Sequence, residues 1–178
     1  FQDTDVLIGQ TYYYRVTAYD TVTLDTQSFF SDSQPSDSAP FTSTVKWYVN
    51  DDATTGDSWT TATGSDVTGL GTIGKPFASI PMAMRVATTG DTIFIDAGLY
   101  DSHTTAATST DTAGVKITAD SLTLIGVDSG ATVIDPPGVK TLIGVYGIYA
   151  ANRTGLLIKN LGVTGAYSGI YFDNVDMS

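Results

Sequence analysis

Gly147-Ile148-Tyr149-Ala150-Ala151-Asn152 returns as Gly169-Ile170-Tyr171-Phe172-Asp173-Asn174, with Gly, Ile, Tyr and Asn all displaced by the same interval. An earlier unit, Gly114-Val115-Lys116-Ile117, precedes Gly147 by one such interval plus an insertion around Asp135-Pro136-Pro137-Gly138. Short β-branched runs with Gly or Asn between them, repeating at a period of roughly 22 residues, predict a β-solenoid. Each pass lays down short strands, turns, and places equivalent residues over those of the pass below. Inward positions then stack into an aliphatic core, with Ile148 against Ile170. Asn152 and Asn174 become rungs of a side-chain ladder, of the kind that stacked identical residues form.

The same pattern extends to both sides of the repeat. Val115 to Thr118, Leu122 to Gly126, Thr132 to Asp135, Leu142 to Val145, Leu156 to Asn160 and Ile170 to Phe172 are apolar runs of strand length. They make three coils at most, and the last is expected to stop mid-coil at Ser178. Gly126, Gly144, Gly162 and Gly165 read as corner residues, since no helix follows them to make a phosphate loop. Upstream, Ile80, Met84 and Ala87 recur at helical spacing, Pro81 suits a first turn, and Thr88-Thr89-Gly90 ends the run, which predicts a short helix over about 79–88. Thr92 to Asp96 then reads as the strand that opens the first coil.

The order of segments here resembles the entry to a right-handed parallel β-helix of the pectin lyase-like kind. The matching residues are Tyr48-Val49-Asn50, Gly56-Asp57, Lys75-Pro76-Phe77-Ala78-Ser79-Ile80 and Gly90-Asp91-Thr92-Ile93-Phe94-Ile95. The resemblance implies a helix that covers the open end of the solenoid, where apolar core and strand edges would otherwise recruit another chain. It does not imply one activity, because that fold carries lyases, hydrolases, epimerases, tailspikes, adhesins and inert surface proteins.

Residues 1–43 read differently. Tyr12, Tyr14, Val16 and Ala18 alternate with Tyr13, Arg15 and Thr17, the period of a strand with one buried face. With Gly9-Gln10-Thr11-Tyr12 before it and Asp20 after it, this run resembles the penultimate strand of a fibronectin type III domain. Tyr12 stands at that family's tyrosine corner. Ser28 to Ser33 is then expected to be the turn into a last strand near Ser36 to Phe41. The fold class is thus all-β: a partial sandwich over 1–43, then the first part of a parallel β-helix over 44–178, with coils from about residue 92. Three closing strands do not bury both faces of a sandwich, so the apolar face of Tyr12, Tyr14 and Val16 is expected to be covered by polypeptide from elsewhere.

Composition narrows the function classes. The chain has 178 residues, 42% hydrophobic but only 15% charged, and a net charge of −11. That charge opposes binding to nucleic acid or an anionic membrane. There is no Cys, which excludes disulfides and thiolate metal sites, and no apolar run approaches the ~18 residues of a membrane span. No signal peptide is visible and the first residue is Phe, which suggests a processed end or a position inside a longer polypeptide. The Thr-, Ser- and Asp-rich acidic composition suits a secreted, extracellular or cell-surface protein.

Few residues are candidates for chemistry. Asn50, Asp51, Asp52 and Asp57 offer oxygen ligands to Ca²⁺, although the loop lacks the Gly and the distal Glu of an EF-hand, and the same residues serve equally as turn caps. No other cofactor is indicated. Lyases of the β-helix kind use a carboxylate cluster with a Lys or Arg base, and hydrolases use paired carboxylates. Here only Asp173, Asp176 and Arg153 are placed for such a role, and the motifs that mark the hydrolases are absent. His103, the single His, lies in a polar loop with no nucleophile motif beside it.

The reading that fits best is a structural or adhesive segment of a large multi-module surface protein, a filament or surface-layer component, that is not itself an enzyme. Its partners are then other modules of the same chain or identical subunits joined head to tail. The alternatives are the non-catalytic N-terminal part of a β-helix polysaccharide lyase or glycoside hydrolase, or a module that binds polysaccharide.

Overall fold

The computed structural model describes residues 11–14, 19–24, 27–32, 39–42, 44–102, 104–105, 111–137 and 144–177. The chain divides into two units, Phe1–Ser43 and Thr44–Ser178.

The first unit contains β1 (Thr11–Tyr14), β2 (Tyr19–Leu24), β3 (Gln27–Asp32) and β4 (Ala39–Thr42). β1 pairs antiparallel with β4, Thr11 opposite Thr42 and Tyr14 opposite Ala39. β2 pairs antiparallel with β3, from Tyr19 opposite Asp32 to Leu24 opposite Gln27. The expected turn over Ser28 to Ser33 is therefore strand for most of its length. Only Asp25 and Thr26 separate β2 from β3, the length of a tight hairpin, and Phe29-Phe30 supplies strand formers that the flanking serines masked. The side chains of this unit, including Tyr12, Tyr14 and Val16, lie outside the described residues.

The second unit is mostly parallel β-structure with one helix. Its elements are β5 (Lys46–Val49), α1 (Ile80–Val86), β6 (Thr92–Ile95), β7 (Gly98–Tyr100), β8 (Thr104–Thr105), β9 (Thr112–Lys116) and β10 (Thr123–Gly126). They are followed by β11 (Thr132–Ile134), β12 (Val145–Arg153), β13 (Leu157–Lys159), β14 (Gly162–Val163) and β15 (Ser168–Val175). Three sheets result, in the orders β13-β10-β6-β5, β14-β11-β7 and β15-β12-β9-β8. Every pairing within them is parallel except β8 with β9. The chain visits the sheets in a fixed sequence: β6, β7, β9, then β10, β11, β12, then β13, β14, β15. This arrangement is compatible with a β-helix-like fold.

The internal repeat is the pairing register. Ile148 stands opposite Ile170, its equivalent one period on, and opposite Val115, its equivalent in the earlier unit. At Gly147 there is no room for a side chain: a Cβ would collide with the Val163 side chain and the Gly169 carbonyl oxygen. Asn152 and Asn174 share the left-handed conformation, φ +52° each. Asn174 Nδ2 donates to Asn152 Oδ1 at 2.9 Å. Gly144 and Gly165 occupy turns with positive φ. Gly126 and Gly162, expected at corners, instead lie in strands, where a Cβ would meet the carbonyl oxygens of Asn160 and Ser129 respectively.

Alternation places Ile93, Ile95, Leu124, Ile134, Val115, Ile148 and Leu156 in one fully buried aliphatic cluster. Each such side chain stabilises the fold by ~1.5–3 kcal/mol. α1 lies against β5 and β9 and adds Ile80, Ala83 and Met84 to that cluster. Ser79 caps it, its Oγ accepting from Met82 N. The helix is shorter than expected: Ala87 is already extended and only partly buried. From there Thr88 N donates to Asp91 Oδ2 and the chain turns into β6.

The two ends of the stack differ. The outer edge of β5 is covered by residues 71–77: Tyr48 N donates to Gly71 O, Phe77 N to Tyr48 O and Asn50 N to Phe77 O, at 2.9–3.0 Å. The outer edge of β9 is covered by β8. Among the described residues no strand covers β13, β14 or β15.

Candidate functional site

The acidic loop after β5 is built around two buried side chains. Asn50 is fully buried; its Nδ2 lies within hydrogen-bond distance of Ala53 O, Ala62 O and Asp57 Oδ2 (2.6 Å), and its Oδ1 accepts from Asp51 N. Asp96, also fully buried, accepts from the N–H groups of Ser58 and Thr60 at 2.6 and 2.7 Å and from that of Trp59. Asn50 fixes the start of the loop and Asp96 fixes its end. Trp59 then lies against Phe94, with ring centroids 5.2 Å apart, and Phe94 stacks on Tyr48.

Of the four calcium candidates, the fold brings Asn50, Asp51 and Asp57 together and leaves Asp52 exposed. Asn50 turns its N–H₂ group toward Asp57, so it presents a donor where a cation needs an oxygen. Asp51 Oδ1 accepts from Ala53 N, a turn cap. Among the described residues no group of three or more His, Cys, Asp or Glu side chains is placed to hold a metal ion. Asp57 Oδ1 is buried without a hydrogen-bond partner. Loss of hydration raises the Asp57 pKa above the ordinary carboxylate value; the Asn50 hydrogen bond opposes this, and the negative charges of Asp96 and Asp51 add to it.

Beside this loop is an open groove of about 280 Å³ lined by Asp51, Asp52, Tyr100, Asp101 and Ser102 among others. The Tyr100 hydroxyl is turned away from solvent and donates to Asp96 O at 3.0 Å, and burial pushes its pKa up. The charged side chains that line the groove, Asp51, Asp52 and Asp101, are all carboxylates, which favours cations over anions there.

Arg153, Asp173 and Asp176 sit on the last two passes. Arg153 stands opposite Val175, Asp173 stands opposite Ala151, and Asp176 N donates to Arg153 O. The Arg153 guanidinium faces backward, its Nη1 3.7 Å from Asp120 Oδ1, an oxygen that also accepts from Thr154 N. Asp173 and Asp176 are exposed. The trio is near in sequence and register, yet the cation is directed to the preceding pass. His103 lies outside the described residues.

Three carboxylates that sequence reasoning missed organise the entry. Asp91 is fully buried and accepts from Val45 N, Trp47 Nε1 and Thr88 N at 2.8–2.9 Å. Asp96 holds the 58–60 segment, and Asp66 accepts from Ala78 N and the Ser79 N–H and hydroxyl at the start of α1. Position was the available signal: Asp91 and Asp96 bracket the apolar run Thr92 to Ile95, where an ionised side chain must find donors.

On the outer face of β12 and β15, Tyr146, Tyr149 and Tyr171 form an aromatic group. Tyr149 and Tyr171 stack at 5.8 Å with rings 5° from parallel, so each covers a face of the other. Burial, and then the Asp111 carboxylate, raises the Tyr146 pKa. Among the described residues no helix is long and apolar enough to cross a membrane. The chain matches no family model, no curated protein and no solved structure.

Proposed function

We propose that residues 44–178 are the entry segment of a right-handed parallel β-helix, preceded by the closing strands of a fibronectin type III-like module. The whole acts as a structural or adhesive segment of a large extracellular, multi-module surface protein. The observation that carries this reading is the contrast between equivalent residues. Ile148 is 1% exposed and Ile170 53%; Tyr149 is 7% exposed and Tyr171 42%. The last pass offers the same apolar and aromatic surface that the pass before it buries, beside open strand edges. A further parallel pass fits that surface. The covered edges of β5 and β9 favour a following stretch of polypeptide over an identical subunit docking through its own entry.

The test is to append one further pass, patterned on residues 147–168, after Ser178. The expected result is a higher melting temperature together with slowed hydrogen exchange at β15. An unchanged melting temperature with fast exchange at β15 overturns the reading. The non-enzymatic part is tested with polygalacturonate and other uronate polymers, with and without Ca²⁺. No unsaturated product and no new reducing ends are expected, and turnover abolished by Asp173→Ala would contradict the structural role.

A further inference from the structure

Asn152-Arg153-Thr154 is the only place in the chain where Asn is followed by a non-Pro residue and then Ser or Thr; Asn50, Asn160 and Asn174 are not. That tripeptide is the acceptor pattern for N-linked oligosaccharide, and its use depends on where the amide nitrogen points. The fold leaves this one available. Asn152, near the end of β12 with φ +52°, and Thr154, just after that strand, are both exposed. The Asn152 Oδ1 is engaged, accepting from Asn174 Nδ2 at 2.9 Å. The ladder goes no further back: continuing the register of Tyr149 opposite Lys116 toward the corner places Ala119 beside Asn152, and Ala has no acceptor side chain. Asn152 Nδ2 therefore has no partner among the described residues. A substituted carboxamide keeps its carbonyl oxygen, so a sugar on Nδ2 is compatible with the bond from Asn174.

We propose that Asn152 is an N-glycosylation site. The donor class is an oligosaccharide carried on a lipid pyrophosphate. Nδ2 forms a bond to the anomeric carbon, the bond from that carbon to the phosphate oxygen breaks, the lipid pyrophosphate leaves with the electron pair, and the amide nitrogen gives up one proton. No oxidant or reductant is needed.

The test secretes the full chain from a yeast cell behind a cleavable leader and measures its intact mass. The expected result is a species heavier by one oligosaccharide. An amidase that hydrolyses the Cγ–Nδ2 bond of the glycosylated Asn should release the oligosaccharide as its glycosylamine and leave Asp at position 152. Thr154→Ala and Asn152→Gln should each abolish the added mass, and Thr154→Ser should retain it. Circular dichroism on each variant checks that the strand signature is intact. A secreted, folded chain without added mass overturns the proposal. So does a glycan that persists in Thr154→Ala.

Discussion

Asp96 illustrates how much of the entry hangs on single carboxylates. Its two oxygens gather the N–H groups of three consecutive residues, Ser58 to Thr60. Asp96→Ala should therefore cost ~1–3 kcal/mol, the penalty of leaving one buried donor, the Thr60 N–H, without a partner; chemical denaturation measures the loss. Asp57, in the same loop, carries a pH dependence. Its folded pKa is raised, so the folded state holds the proton more tightly than the unfolded chain does. Its contribution to stability is fully present below the ordinary carboxylate value and is lost as pH rises through the raised one. Melting curves from acid to neutral pH should show Asp57→Asn gaining on the wild type as pH rises, then a constant difference. A difference flat throughout the range would show that Asp57 is not perturbed. That Asp96 needs donors was readable from its place at the end of an apolar run, but which donors was not: they lie 36 to 38 residues away, and no local pattern encodes a contact at that distance.

Among the elements, β12 and β15 were the most legible and β14 the least. The Gly-Ile-Tyr-x-x-Asn repeat yields the register of Ile148 on Ile170 and the Asn ladder directly, because stacked passes must reuse residues that fit the same space. β8 and β14 have two residues each, too short for a period to be read. The helix was readable from its spacing, but its early end was not: Ala87 is already extended, and Thr88 N is held by Asp91. Arg153, a candidate alongside Asp173 and Asp176, turns its guanidinium toward Asp120 on the preceding pass, a partner that no sequence spacing indicates. Burial sets the outcome of two substitutions. Ile148→Ala should cost ~2–5 kcal/mol, whereas Ile170→Ala, half exposed, should cost less than ~1 kcal/mol. Gly147→Ala should be strongly destabilising through its collision with Val163 and Gly169, while Gly169→Ala meets nothing closer than 3.9 Å and should be tolerated. Thermal melts of the four variants check the order.

For the whole molecule, fold class was far more legible than activity. Strand periodicity recurs from pass to pass, whereas an activity needs side chains that converge, and carboxylates such as Asp66, Asp91 and Asp96 are instead engaged by backbone N–H groups. The asymmetry of the stack makes a prediction at this scale. Hydrogen exchange should be slowest in β6, β10 and the first half of β12, and fastest along β15, because the final pass lacks a neighbour on one side. Equal protection of β12 and β15 would show the exposed pass to be covered in solution.

The covered edge of β5 also has a meaning in time. Residues 71–77 and α1 leave the ribosome before any of the three-strand passes, so the polypeptide that covers the outer edge of β5 is already present when β6 emerges. Each later pass then meets a finished template of matching register and needs only the one before it. Such a chain folds as a zip with a fixed starting stop, and the long-range pairing that slows most parallel sheets becomes, for each new strand, a short local search.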